Sequence, residues 1–182
     1  MSLFQDGELD LAKDRLPTFI AAAAQYKWPD ELEQAMQADL GTIAWMAWVL
    51  AGIDSRESRF GALLDADGLG DAGHGHGEMQ IDDRSHETFC SNGGWKDLAA
   101  SLEYVRRNVI IPSYTYLANR FGYFGANYAN LFWGVVAAYN CGAGNVAKAV
   151  ANGDGVDSRT TGHDYSADVR ARALALKEAL GQ

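Results

Sequence analysis

The stretch that decides the fold is residues 42–61, TIAWMAWVLAGIDSRESRFG, an apolar segment that ends in charged residues and a glycine. Several of its residues recur at spacings of three and four and therefore share one helical face: Ile43, Met46, Ala47, Leu50, Ile53 and Glu57. Glu57 is expected at the end of this buried face, where lost hydration and the unpaired helix carbonyls both raise the pKa of a carboxyl. Such a group can act as a general acid near neutral pH. The alternative is a surface glutamate beside Arg56 and Arg59, with Phe60-Gly61 ending the helix.

A glycine-rich stretch follows at residues 70–86, GDAGHGHGEMQIDDRSH. Its glycines permit backbone conformations closed to other residues and let a ligand approach the main chain. Residues 77–82 predict a short strand whose side chains alternate between two faces. The polar face holds Glu78, Gln80 and Asp82, and the apolar face holds Met79 and Ile81. With Glu57 and Asp71, this segment offers the carboxyls of glycoside hydrolysis, where one group protonates the leaving oxygen and another positions water. The alternative is a solvated glycine loop.

Four motifs in the chain occur in a recognisable order. They are SRESRFG at 55–61, GDAGHGHGEMQIDDRSH at 70–86, AYNCGAGNV at 138–146 and TTGHDYSADV at 160–169. In this order they resemble the goose-type lysozymes, which belong with the soluble lytic transglycosylases in the lysozyme superfamily. The resemblance runs from about residue 40 to the C-terminus. It implies a mainly α, α+β lysozyme-like fold, a helical domain with a small β-hairpin and loop region beside the active-site cleft. It also implies a single domain, with residues 1–40 as an N-terminal helical extension and 41–182 as the catalytic core.

The resemblance also assigns roles to individual residues. It makes Glu57 the catalytic acid and Asp71 and Asp82 the carboxylates that position the attacking water. The residues that match sugar-cleft positions of the family are Gln80, Tyr139, Asn140 and Tyr165. The chain departs from the family pattern at Glu78, which replaces an aliphatic residue. An extra carboxylate near Asp82 is expected to raise one of their pKa values by like-charge repulsion.

The activity implied by the resemblance is cleavage of the β-1,4 bond between N-acetylmuramic acid and N-acetylglucosamine in peptidoglycan. Keeping both Asp71 and Asp82 favours hydrolysis with inversion, which needs roughly 6.5–9.5 Å between the carboxyls to admit a water. One alternative is a lytic transglycosylase that uses Glu57 only. Chitin-type and related amino-sugar polymers remain open as substrates, and neither a cofactor nor a metal is expected.

Two further classes of function compete with this interpretation. Histidines and a carboxylate alternate with glycine at His74, His76 and Glu78, which on a strand would present possible ligands for zinc or another transition ion. Residues 65–71 also mimic the start of a calcium loop, although Leu69 stands where an oxygen ligand belongs. A non-catalytic sugar-binding module is the third class, and the presence of a glutamate at the catalytic position argues against it.

The remaining periodicity indicates further helices. Pro17 is expected to bend or divide a first helix, Pro29 to open a second, and Pro112 to kink or break a later one. The expected helices run from about 9 to 26, 29 to 39, 95 to 121, 128 to 140 and 166 to 180. The last carries Val169, Ala173, Leu176 and Leu180 on one stripe, so it is expected to dock on the core.

Charge and composition bear on partners and location. The chain has 182 residues and a formal charge of −9, which argues against nucleic acid and favours a basic partner such as an immunity or inhibitor protein. The start, MSLFQDGE, lacks a basic region followed by an apolar run, so no signal peptide is expected. Action on the cell wall then requires release as an endolysin, injection as an effector, or removal of a leader. The apolar run 43–53 is too short to span a membrane. Cys90 and Cys141 could pair or stay reduced.

Overall fold

The computed structural model describes the backbone of residues 3–40, 45–122 and 128–181, and their side chains except at 35, 36, 38–40, 45 and 128–130. The helices are α1 (Glu8–Gln25), α2 (Asp30–Leu40), α3 (Trp45–Ser58), α4 (Asp83–Ser91), α5 (Leu98–Val105), α6 (Ile111–Phe121), α7 (Tyr128–Cys141), α8 (Ala143–Ala151) and α9 (Tyr165–Leu180). The strands β1 (Leu69–Gly70), β2 (Gly75–His76) and β3 (Ile81–Asp82) form one antiparallel sheet in that order. This architecture confirms the predicted mainly α fold with a small β region.

The chain folds as two compact units. The first contains Met1–Tyr26, Ala47–Val105 and Ala171–Gln182, and the second contains Lys27–Met46 and Arg106–Arg170. The first unit holds the three-stranded sheet and the helix that carries Glu57.

Helix α3, most of which belongs to the first unit, is an interior helix. The described apolar residues of its predicted face are buried, with Met46, Leu50 and Ile53 no more than 2 % exposed, while Ile43 lies outside the described residues. Residues on the other faces, including Val49 and Ala51, are buried as well. The predicted single stripe was therefore too narrow, because a helix that is apolar on all sides is an interior helix.

The predicted strand over residues 77–82 is wrong for most of its length. Only Ile81–Asp82 is a strand, and residues 77–80 form a turn in which Gln80 adopts a left-handed φ of 48°. The register pairs Gly75 with Asp82 and His76 with Ile81. Met79 and Ile81 are nevertheless buried, as predicted, so the two apolar side chains anchor the turn in the core.

Two of the three prolines lie where a helix begins, and the third lies inside a helix. Pro17 lies inside α1, which continues past it undivided. Pro29 directly precedes α2 and its carbonyl accepts hydrogen bonds from the backbone of Leu32 and Glu33. A π-helical segment, Arg106–Ile110, separates α5 from α6, and Pro112 follows it at the start of α6. Proline cannot donate to the ladder and displaces the preceding turn, which a π segment accommodates.

In the second unit, α7 occupies the central position. It packs against α2, α6 and α8, and its described residues from Leu131 to Ala138 are buried on every face. Of the predicted stripe on α9, Val169, Ala173 and Leu176 are buried and Leu180 is half-buried. No helix in the described part of the chain has the length and apolar character required to cross a bilayer.

Candidate active site

Glu57 lies at the end of α3, as the periodicity predicted. It is the penultimate residue of the helix and is half-buried. The helix ends directly after it, because Arg59 and Phe60 adopt left-handed φ values of 53° and 56° and Gly61 follows at 84°. A carboxyl in this position combines partial burial with the negative end of the helix dipole, the two conditions that favour the protonated form. Its role as general acid stays a prediction.

The two hairpin aspartates are joined by one arginine. Arg84 donates from Nε to Asp82 Oδ1 at 2.9 Å and from Nη2 to Asp82 Oδ2 at 2.9 Å. The same Nη2 donates to Asp71 Oδ2 at 2.8 Å. Arg84 therefore holds the carboxylates of Asp71 and Asp82 within reach of a single guanidinium, although they are separated in sequence by β2 and the turn.

Asp82 is held in its ionised form. The hydrogen bond from the Arg84 side chain lowers the pKa of Asp82, and a further bond from the Arg84 backbone N–H acts in the same direction. That backbone bond is an N-cap, because the Asp82 side chain accepts it at the start of α4. A carboxylate stabilised in this way can orient a water or accept its proton, but it cannot serve as a proton donor.

Gln80 is fixed by the backbone around it. Its Nε2 donates to the carbonyl of Gly77 at 2.9 Å. Its Oε1 lies over two strand glycines, since a Cβ built on Gly70 or on Gly75 would come within 2.2 Å of it. Glycine at these positions therefore makes room for the Gln80 amide across the β1–β2 pair. The predicted contact of Gln80 with substrate stays a prediction.

Glu78 does not act on Asp82 as the sequence analysis expected. Its carboxylate pairs with Arg15 of α1, from whose Nε and Nη2 it accepts hydrogen bonds at 3.1 Å each. The pKa of Asp82 is lowered by Arg84 rather than raised by a neighbouring carboxylate. The carboxyl whose pKa Glu78 raises is that of Asp54, a fully buried residue of α3. The turn at residues 77–80 replaces the predicted strand, so Glu78 and Asp82 do not alternate on one face.

The two histidines of the hairpin share one carboxylate. His74 Nδ1 lies 2.9 Å from Asp83 Oδ1, and His76 Nε2 lies 3.4 Å from Asp83 Oδ2. Glu78, the third member of the predicted metal set, is bound to Arg15 instead. Over residues 3–40, 45–122 and 128–181, no group of three or more His, Cys, Asp or Glu side chains is arranged to hold a metal ion. In the calcium-like segment, Asp65 accepts hydrogen bonds from its own loop backbone.

The predicted residues Tyr139, Asn140 and Tyr165 lie together in the second unit. The rings of Tyr139 and Tyr165 are nearly parallel, with centroids 6.5 Å apart and an interplanar angle of 5°. Tyr165 is 1 % exposed, whereas Tyr139 is half-buried. Asn140 is exposed and its Oδ1 accepts a hydrogen bond from the backbone of Thr161 at 2.8 Å. Buried Tyr165 thus supports Tyr139, and the predicted sugar contacts of all three stay predictions.

Left-handed backbone outside glycine is concentrated around the candidate site. In the described part of the chain, the non-glycine residues with positive φ are Arg59, Phe60, Asp71, Ala72, Gln80 and His163. The first two follow Glu57, and the next three belong to the hairpin that carries the aspartates. Such conformations cost free energy and cluster at functional sites, where packing holds them.

A cavity of about 320 Å³ lies beside the hairpin within the first unit. Its walls include Asp67, Glu78, Trp95 and Lys96. Trp95 is half-buried, and its Nε1 donates to the carbonyl of Cys90 at 3.0 Å.

Both cysteines, Cys90 and Cys141, are free thiols, and burial raises the pKa of each.

Sequence reasoning did not identify Arg84, Arg15 or Asp54. Arg84 stands two residues after Asp82, the spacing at which a helix N-cap meets the N–H and side chain of its own first turn. Asp54 interrupts an otherwise apolar helix, and a charged residue inside a buried run is itself a signal that a partner must be present. Arg15 carries no comparable local signal, because its partner is distant in sequence.

The helical fold with its small antiparallel sheet is that of a lysozyme-like domain, and comparisons with known proteins specify the family. The sequence profile of the family described as Lysozyme g matches residues 39–179, and the chain belongs to this family. It is 36 % identical to a lysozyme g of Casuarius casuarius over 71 % of this chain and 64 % of that protein. It is 35 % identical to a lysozyme g of Gallus gallus, covering 71 % of this chain and 56 % of that protein. A lysozyme g of Takifugu rubripes is 36 % identical, over 73 % of this chain and 67 % of its own length. The chain therefore spans less than two thirds of the bird relatives it matches.

Proposed function

We propose that this protein is a peptidoglycan-degrading glycoside hydrolase, a muramidase that cleaves the β-1,4 bond between N-acetylmuramic acid and N-acetylglucosamine with inversion. The observation that carries the proposal is the pair of carboxylates Asp71 and Asp82, held by Arg84 in the same compact unit as the half-buried Glu57. Membership of the lysozyme g family and the names of the relatives support it.

In the proposed mechanism the two kinds of carboxyl have opposite protonation states. Glu57 protonates the leaving glycosidic oxygen, which requires that it hold a proton before the bond breaks. Asp82, ionised by Arg84, orients the water that attacks the anomeric carbon, and Asp71 shares the same guanidinium. The arginine neutralises part of their combined charge and so reduces the repulsion between the two carboxylates.

The test is digestion of purified peptidoglycan by the wild type, Glu57→Gln and Glu178→Gln, followed by mass spectrometry of the sugar ends. Glu178 is an exposed glutamate on α9 and serves as the matched control for the loss of one carboxyl. We expect new reducing ends with the wild type and with Glu178→Gln, and none with Glu57→Gln. Anhydro ends would instead identify a lytic transglycosylase that uses Glu57. Equal cleavage by all three proteins, or by none, would refute the assignment of Glu57.

Stereochemistry and substrate class need separate measurements. We expect NMR of a freshly cleaved soluble oligosaccharide to show the α anomer first, because inversion of a β bond produces it. A β product would refute the water-positioning role of the aspartates. Chitin oligosaccharides incubated in parallel distinguish a muramidase from a hydrolase of amino-sugar polymers in general.

A peptidoglycan substrate places the activity at the cell wall. The formal charge of −9 gives no long-range attraction to an anionic wall and favours a basic immunity or inhibitor protein as partner. Affinity capture from the native host with the wild-type protein tests this, and recovery of no basic protein that blocks cleavage would count against it.

A further inference from the structure

The most unusual group outside the proposed catalytic carboxyls is Asp54. It lies on α3, one turn before Glu57, with a side chain that is fully buried. Its Oδ1 accepts a hydrogen bond from Ser58 Oγ at 3.0 Å, but its Oδ2 is buried without a hydrogen-bond partner among the described residues. A buried carboxylate with one oxygen unsatisfied is costly, so this oxygen requires a proton or a donor.

Glu78 supplies the other half of the arrangement. Its side chain lies against Gly61, since a Cβ built there would be 3.3 Å from Glu78 Cγ. The Gly61 N–H donates at 2.9 Å to Ser58 Oγ, the group that donates to Asp54. Burial is the main cause that raises the pKa of Asp54, and the negative charge of Glu78 raises it further.

We propose that Asp54 and Glu78 share one proton, and that this carboxyl pair clamps the helix carrying Glu57 to the turn leading into Asp82. The shared proton itself does not depend on the proposed function, and only the catalytic role of the clamp rests on it. In this arrangement the proton on Asp54 Oδ2 is donated to the Glu78 carboxylate, which also accepts hydrogen bonds from Arg15 Nε and Nη2. Glu78 belongs to the turn at residues 77–80, which ends one residue before β3. Asp54 and Glu78 are thus positioning residues for the proposed acid and the proposed water-binding carboxylate.

Charge balance favours one shared proton over none. With the proton, Arg15 and the pair sum to zero net charge, whereas without it a second negative charge is buried inside the first unit. The other charged groups around the clamp are Asp14 on α1, which acts on Arg15, and Asp67 and Lys96, which line the same cavity as Glu78. The cavity gives Glu78 a route for proton exchange with solvent, while Asp54 itself stays buried.

The shared proton can be measured without substrate, because a proton bound only by the native state makes folding stability depend on pH. The native pair binds one more proton than the unfolded chain at every pH between the ordinary carboxyl pKa and the raised native one. Stability of the wild type therefore falls as pH rises through this window. Asp54→Asn carries a permanent amide donor in place of the hydroxyl, so it does not lose stability there. We expect its melting temperature to gain on the wild type by about 3–5 °C per pH unit between pH 4.5 and the native pKa.

The matched control is Asp67→Asn, the same chemical change on an exposed residue of the same cavity. We expect its melting temperature to follow the wild type at every pH. An Asp54→Asn protein whose melting temperature runs parallel to that of the wild type from pH 5 to 8 would overturn the shared proton.

Infrared spectroscopy gives a readout that does not depend on how a variant folds. Wild type at pH 6 should show the C=O stretch of a protonated carboxyl in a dry environment, and Asp67→Asn should retain it. Its absence from the wild type would overturn the proposal, as would its persistence in a folded Asp54→Asn protein. These measurements stand whether or not the protein cleaves peptidoglycan. If the protein cleaves peptidoglycan, the fall of its cleavage rate at high pH should begin at a higher pH in Asp54→Asn than in the wild type. An unchanged pH–rate profile would refute the positioning role of Asp54 and Glu78.

Discussion

Gly77 is the position where a single methyl group should do most damage to the proposed active site. Its φ is +67°, and a Cβ built there would lie 2.6 Å from the backbone carbonyl oxygen of Trp95. Its own N–H donates to Gly68 and its carbonyl accepts from the backbone and side chain of Gln80. The backbone is thus held on both sides and cannot shift without breaking these bonds.

Two costs add in Gly77→Ala. A left-handed φ costs an L-residue about 1–2 kcal/mol, and forcing a methyl against fixed backbone adds about 1–3 kcal/mol. Gly93 provides the control, because its φ is +71° and the nearest atom to its added Cβ is Lys96 Cδ at 4.0 Å. Gly93→Ala should carry only the conformational cost. We therefore expect Gly77→Ala to lose about 1–3 kcal/mol more than Gly93→Ala.

Urea unfolding of both variants at pH 6 measures this difference, with equal m-values confirming the same two-state transition. In thermal unfolding the additional loss corresponds to roughly 2–4 °C per kcal/mol for a chain of this length. Removing the Trp95 ring in Gly77→Ala/Trp95→Ala should not restore stability, since the obstructing atom is a backbone oxygen. Equal losses in Gly77→Ala and Gly93→Ala would refute the steric reasoning.

The remaining predictions concern two ion pairs and one hydrogen-bond network. Arg84→Met should raise the pKa of Asp82 towards its ordinary value, so a ¹³C NMR titration of that carboxyl should move to higher pH, whereas Arg159→Met should leave it in place. Arg172→Met should cost about 3–5 kcal/mol in urea unfolding because it leaves Glu8, 2 % exposed, without its cation; a loss below 1 kcal/mol would mean that the pair contributes little. Asp157→Ala should cost about 1–2 kcal/mol, because Asp157 accepts hydrogen bonds from Ser166 N, Ser166 Oγ and Ala167 N at the start of α9. Asp157→Asn, which keeps one acceptor oxygen, should lose less, and equal stability of all three proteins would contradict this capping role.

Periodicity located Glu57 correctly, because a helix of fourteen residues with an apolar interior leaves little freedom for its end. The same reasoning also placed Met79 and Ile81 in the core, since any path through residues 77–82 must bury the two apolar side chains. The predicted strand was wrong because the alternation of polar and apolar side chains does not reveal a left-handed backbone conformation. Gln80 adopts a left-handed φ, and residues 77–80 form a turn.

The partners of the charged residues could not be predicted for a different reason. Glu78 is 63 positions from Arg15 in sequence, and nothing local distinguishes that arginine from other basic residues on the chain. The expected repulsion between Glu78 and Asp82 assumed an extended segment, and the turn removes that assumption. Asp54 did carry a signal in the sequence, because it is a carboxyl within a helix too apolar to solvate it.

The buried contact among Glu8, Ser55 and Arg172 has a consequence for how short a version of this protein can be made. Ser55 Oγ donates to Glu8 Oε1 at 2.5 Å and accepts from Arg172 Nη1 at 2.9 Å. One residue comes from the first helix, one from the middle of the chain and one from the last helix. A fragment trimmed to the family's matched span, residues 39–179, would keep Arg172 and Ser55 but lose the carboxylate between them, together with Arg15. The span matched by the family, residues 39–179, is therefore shorter than the span needed to pair the buried charged residues. A shortened version for expression should keep the first helix.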